Sequence, residues 1–279
     1  MEWLINRRRM MYNRATTPPY IPFEDEGIWR ICCENFGDYN ETAITNNGNG
    51  TVNIVVTFKS MLNNVVKKSI IISTQTNVDN TEGTYVEGTT KEAVGITMKQ
   101  CKAVSSSNIG DSNNSVFRQP ITVSNFREFR YFTGVTTTYG GWFQGLTITG
   151  TLTLPKSITS YHSYLLYNST INKIVLDEGT VNPPSGFGTF YYCNASLIVF
   201  PSTITSISNM WNNSSNRRDV IINTNTVIPV GSQSYLRANS PLYIYVKDEL
   251  VDAFKEDESW STNVGASKIY PLSEYTGTY

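Results

Sequence analysis

Charge is scarce in this chain. Only 16% of its 279 residues are Asp, Glu, Lys or Arg, and the net charge is -1. A binder of duplex nucleic acid needs many cations aimed at phosphates, so that class is set aside. Histidine is scarcer still: His162 is the only one, in the polar stretch Ser160-Tyr161-His162-Ser163-Tyr164. Any Ser-His-acid or Cys-His catalytic arrangement would have to use it, and a turn position without fixed partners favours a solvated role. The four cysteines are Cys32, Cys33, Cys101 and Cys193, with no C-x-x-C spacing. Zinc is therefore not expected, and buried free thiols from a reducing cytoplasm are. No apolar run is long enough to span a bilayer, and the N-terminus lacks the apolar core of a signal peptide.

Other signatures of chemistry fail on single residues. Asp111-Ser112-Asn113-Asn114-Ser115 opens like a calcium loop, but Val116 stands where glycine is required and Thr122 where the closing glutamate belongs. Gly140-Gly141 has no Lys-Ser/Thr after it, so no phosphate loop is implied. A glycosidase needs two placed carboxylates, and the adjacent pair Asp177-Glu178 would point to opposite faces of a strand. The expectation is a protein that is not an enzyme and carries no cofactor or metal.

What the chain does have is Asn, Ser and Thr in nearly every stretch, with 17 Tyr and five Trp among them. Such residues solvate turns, while the flat amphipathic rings supply either core or binding surface. The second half also repeats. The runs Leu152-Thr153-Leu154, Ile174-Val175-Leu176, Ile198-Val199-Phe200, Val220-Ile221-Ile222 and Ile244-Tyr245-Val246 end at steps of 22, 24, 22 and 24 residues. One short strand per unit at that period predicts a leucine-rich-repeat solenoid, whose units are stable only by stacking.

Four regions are expected. Residues 1–22 read as an anchoring arm, in which Arg7, Arg8, Arg9 and Arg14 are interleaved with Trp3, Leu4, Ile5, Met10, Met11 and Tyr12 and followed by a proline-rich stretch. Residues 23–134 read as an α+β region: a helix after Glu24-Asp25-Glu26 ending at Gly37, then a hairpin from 51–59 and 65–73. A polar loop over 74–92 follows, then a helix opened by Thr97-Met98-Lys99-Gln100 and another over Ser124 to Phe132. The repeats occupy 135–247 and a helical cap 248–279.

The phrases Leu154-Pro155-Lys156-Ser157-Ile158-Thr159-Ser160 and Phe200-Pro201-Ser202-Thr203-Ile204-Thr205-Ser206, with Phe190-Tyr191-Tyr192-Cys193-Asn194-Ala195-Ser196-Leu197, resemble BspA-like leucine-rich repeats of gut Bacteroidales. The stretch Tyr245 to Lys255, with Trp260-Ser261, resembles their terminal cap. The repeats here are degenerate over 209–219, where a helical phrase was expected. The front end, Asn6-Arg7-Arg8-Arg9-Met10-Met11-Tyr12 and Pro19-Tyr20-Ile21-Pro22-Phe23-Glu24-Asp25, is similar to leaders of phage- and prophage-encoded members. That resemblance implies a non-enzymatic virion structural protein, a head or tail appendage or fibre assembled in the host cytoplasm. Its arm would bind other virion proteins, and its repeats would contact neighbouring subunits or a host-surface glycan, with Tyr161, Tyr164, Tyr191, Trp211 and Tyr243 as the binding surface. Homo-oligomers are expected; nucleic-acid binding and membrane insertion are not. A bacterial cell-surface adhesin and an intracellular scaffold are the alternatives.

Overall fold

The computed structural model describes residues 20–48, 51–60, 65–75, 87–182, 189–190, 192–207, 218–231 and 242–279, with the backbone alone for Thr51, Val65–Gln75 and Leu242. Two compact units emerge. One takes the described residues up to Pro22 together with Trp29–Cys101; the other takes Phe23–Ile28 and Lys102–Tyr279.

The first unit is organised by an antiparallel sheet of β1 (Asp38–Asn46), β2 (Thr51–Ser60), β3 (Val65–Gln75) and β4 (Gly88–Gly95) in the order β3-β2-β1-β4. The expected hairpin is its β2–β3 pair, in register from Thr51↔Gln75 to Ser60↔Val65. The polar loop expected over 74–92 is corrected at its end, because β4 starts at Gly88 and pairs with β1. Neither β1 nor β4 has an apolar alternation: β4 is exposed over its first five residues. Backbone hydrogen bonding holds such a strand in place where its side chains give no signal.

Helix α1 (Glu26–Phe36) begins where Asp25 accepts from the Ile28 amide at 3.0 Å and ends at Gly37, whose amide donates to the Cys32 and Cys33 carbonyls. Near its end Asp38, buried, accepts from Tyr20 Oη at 3.0 Å and from Gln100 Nε2 at 2.9 Å. Those two bonds give a buried carboxylate the partners it requires. Gln100 also closes a capping box with Thr97 at the start of α2 (Met98–Ala103), each accepting from the other's backbone amide.

In the second unit, after the four-residue turn of helix α3 (Ser106–Ile109), β5 (Thr122–Val123), β6 (Thr147–Leu154), β7 (Thr170–Leu176), β8 (Asn194–Phe200), β9 (Arg218–Ile222), β10 (Leu242–Val246) and β11 (Ile269–Pro271) form one parallel sheet in chain order. Each of the five apolar runs closes one of these strands. Two rungs cross the sheet by register: Leu152, Ile174, Ile198, Val220, Ile244 and Ile269 on one face, and Thr153, Val175, Val199, Ile221, Tyr245 and Tyr270 on the other. Every member of the first rung is buried. At roughly 1.5–3 kcal/mol for each large aliphatic side chain removed from water, this rung is a principal source of cohesion. Parallel sheets need cover on both faces. On the second face Leu197, Val199, Ile221 and Tyr245 form a buried cluster, against which Tyr243, Tyr270, Leu272 and Tyr275 pack.

The α+β character stands, but the expected leucine-rich-repeat solenoid with a helical cap is corrected. The second unit is built on an open seven-stranded parallel sheet, and between Val135 and Lys247 the described residues contain no α-helix. The physical reason lies in the return segments: Tyr164 and Asn168 sit at φ +66° and +52°, a left-handed conformation that a continuing helix cannot contain. Nor is the C-terminal region only a cap. After α4 (Val251–Glu256) and α5 (Glu258–Asn263) it returns to the sheet and supplies the edge strand β11.

Ahead of β6, Phe126, Phe129 and Phe132 pack as expected on one side, joined by Phe117 and Phe143. Their backbone differs from expectation: a 3-10 turn over Arg127–Tyr131 replaces the longer helix, because Phe126 bridges Leu152 as an extended residue.

Candidate functional site

The return segments behind the sheet build the site. Gly141-Trp142-Phe143-Gln144-Gly145-Leu146 and Tyr164-Leu165-Leu166-Tyr167-Asn168-Ser169 occupy matching positions, 23 residues apart, and Thr189-Phe190 to Cys193 continues the series. Trp142, Phe143, Leu146, Leu165, Leu166, Phe190 and Cys193 turn inward and are buried. Left-handed residues bracket the first two turns and close the third: Gly141 (φ +72°) matches Tyr164 (+66°), and Gly145 (+81°) matches Asn168 (+52°) and Tyr192 (+53°). Successive turns are tied by backbone bonds, the Gly141 amide to the Tyr164 carbonyl at 2.7 Å and the Gly145 amide to the Asn168 carbonyl at 3.2 Å. These ties hold Tyr164 and Asn168 in a conformation that costs a Cβ-bearing residue roughly 1–2 kcal/mol.

The result is an exposed row. Tyr164 is 41% exposed and Tyr192 46%. Tyr167 stands between them, edge-on to both, at 5.8 Å and 84° from Tyr164 and at 5.9 Å and 72° from Tyr192. Tyr164 and Tyr167 line an open cleft of about 420 Å³ with Ser112, Asn113, Arg118, Gly140, Gly141, Gln144 and His162. Its volume falls within the range of small-ligand sites. Gly140 lets the two walls approach, since a Cβ there would lie 2.7 Å from the Ser163 carbonyl oxygen and 3.0 Å from His162 Nδ1. His162 is exposed, and its Nδ1 donates to the Ser163 carbonyl. Arg118 Nη1 donates to the Ser112 carbonyl at 2.7 Å, fixing the guanidinium to the opposite wall.

Asp111 borders this wall and makes a tight turn, accepting from the Asn113 amide at 2.8 Å and the Asn114 amide at 3.1 Å. Those bonds hold its carboxyl below the ordinary range. Among the described residues no group of three or more His, Cys, Asp or Glu side chains could hold a metal ion. No helix among them is long and apolar enough to cross a membrane. All four cysteines are free and buried.

The expected binding residues are scattered by the structure. Tyr164 lies in the cleft. Tyr161 does not: it is 6% exposed, and burial pushes its phenol upward, so it is corrected from surface to core. Tyr243 is half-buried on the other face of the sheet, its ring 5.4 Å from Tyr270, and belongs to the packed cluster there. Tyr191 and Trp211 lie outside the described residues, as do the anchoring residues Trp3, Leu4, Ile5, Arg7, Arg8, Arg9, Met10, Met11 and Tyr12. Sequence reasoning missed Tyr167, Tyr192, Gln144 and Arg118. The 23-residue match between Gly141 and Tyr164 was the available signal for the turn, and nothing local marks Arg118. No protein-family model matches the chain, and no curated protein or solved structure matches it either.

Proposed function

We propose that this chain is a non-enzymatic structural protein of a phage virion, a head or tail appendage that displays a saccharide-binding cleft. The observation that carries the adhesive part is the tyrosine row. Two of its rings stand on left-handed backbone, and strain of that kind is retained at ligand sites when the surroundings enforce it. Exposed rings beside amide and hydroxyl groups suit a sugar, whose C–H face stacks on an aromatic plane while its hydroxyls find polar partners. Single sites of this openness bind weakly, and many copies on one particle multiply the effect. The virion part rests on the basic and apolar front end of the sequence, which resembles a particle-anchoring leader.

Two measurements test the reading. Binding of the intact protein to a panel of host-surface saccharides is expected to fall at least tenfold in Tyr164→Ala and Tyr167→Ala, with the fold retained by circular dichroism. Unchanged binding in both variants removes the cleft from consideration. Deletion of residues 1–22 is expected to leave a soluble protein that no longer enters particles; full incorporation of the truncated protein refutes the anchor.

A further inference from the structure

The cleft has a sign. Among the described residues its lining holds no carboxylate, and the one formal charge there is Arg118. The guanidinium is already seated through Nη1, which donates to the Ser112 carbonyl at 2.7 Å and to Asn113 Oδ1 at 3.4 Å. No hydrogen bond or ion pair to a described residue engages its other edge, Nε with Nη2. That edge is the planar fork that meets a carboxylate with two parallel bonds. The neighbouring acid does not compete, because Asp111 is committed to the amides of Asn113 and Asn114 and to the side chain of Asn114. Across the cleft stand the Tyr164 and Tyr167 rings, together with the Gln144 amide, which makes no hydrogen bond to a described residue.

Resting on the saccharide reading above, we infer that the cleft selects an acidic sugar, a uronate or sialate unit, by pairing its carboxylate with the Nε–Nη2 edge of Arg118. Stacking on the tyrosines supplies contact with any sugar ring. The guanidinium supplies the choice among them, since a charge-assisted bidentate pair is lost entirely when the ligand is neutral.

Calorimetric titration of the full chain with two matched pairs tests this: trigalacturonate against its methyl ester, and sialyllactose against lactose. In at least one pair the acid is expected to bind tenfold or more tighter than its neutral counterpart, with the difference shrinking as salt is raised. Arg118→Gln is expected to erase that difference. Arg118→Lys, which keeps the charge without the fork, should retain part of it, and thermal melts of both variants check that the 112–118 wall is intact. Equal binding of acid and neutral forms in both pairs, or a preference that survives in Arg118→Gln, overturns the inference. If the neutral forms bind as tightly as the acids and Tyr164→Ala abolishes both, adhesion stands and only the role of Arg118 fails. If none of the four saccharides binds, the adhesive reading fails with it.

Discussion

Replacing Tyr164 by alanine and, separately, by glycine isolates the backbone of the cleft from its ring. Both variants lose the same phenol and the same edge-on contact with Tyr167. They differ in what φ +66° demands of them. A Cβ in the left-handed region costs roughly 1–2 kcal/mol, while glycine gives back roughly 0.5–1 kcal/mol through the greater freedom of the unfolded chain. The glycine variant is therefore expected to be the more stable of the two by about 0.5–1 kcal/mol. In a cooperative unit of roughly 150–250 residues this is a difference in Tm of about 1–4 °C. Tyr167 provides the control, because its φ is negative. There the order reverses, and alanine should exceed glycine by about 0.5–1 kcal/mol. Urea titrations and thermal melts of the four variants, measured side by side, read the two differences. The same sign at both positions would refute the left-handed turn and, with it, the reason given for a tyrosine held outward at 164.

Two further expectations concern the interior of the same unit. Trp260 is fully buried, its Nε1 donating to the Ile228 carbonyl at 2.6 Å and its ring lying 5.1 Å from Phe254. Trp260→Phe strands that carbonyl and leaves a void, so a loss of about 2–4 kcal/mol is expected in urea unfolding, and a loss below 1 kcal/mol would contradict the packing. Burial pushes the Cys193 thiol up from 9.0 to about 11, against the opposing pull of the Ser169 hydroxyl and the Arg218 charge. A raised folded-state value means that the stability is whole below pH 9 and declines as pH climbs from 9 toward 11, by about 2–3 kcal/mol in all. Comparison of Cys193→Ala with the unsubstituted protein across pH 8–11 should show the variant losing less over that window; parallel curves would refute the assignment.

The strands were legible and the returns were not. Ile174-Val175-Leu176 and Ile198-Val199-Phe200 announce themselves because both faces of a parallel strand are covered, so consecutive residues are all apolar. The strand Gly88–Gly95 hides, since its first five side chains face water and read as loop. Tyr161, in the core, and Tyr164, in the cleft, are indistinguishable by residue type. What separates them is a left-handed φ at Tyr164, which propensity argues against for tyrosine and which the tie to Gly141 enforces. Arg118 was invisible for a different reason: it lines the cleft from a loop 46 residues before Tyr164, and no periodicity links the two segments.

Because the seven parallel strands lie side by side in the order in which they occur along the chain, tension pulling on the two ends of this sheet has no long-range knot to break. The outermost strand peels away alone, then the next. Each release pays out one return segment with its strand, on the order of 8 nm of slack at about 3.3–3.6 Å per residue. A sheet so ordered would give ground under load in small increments instead of snapping.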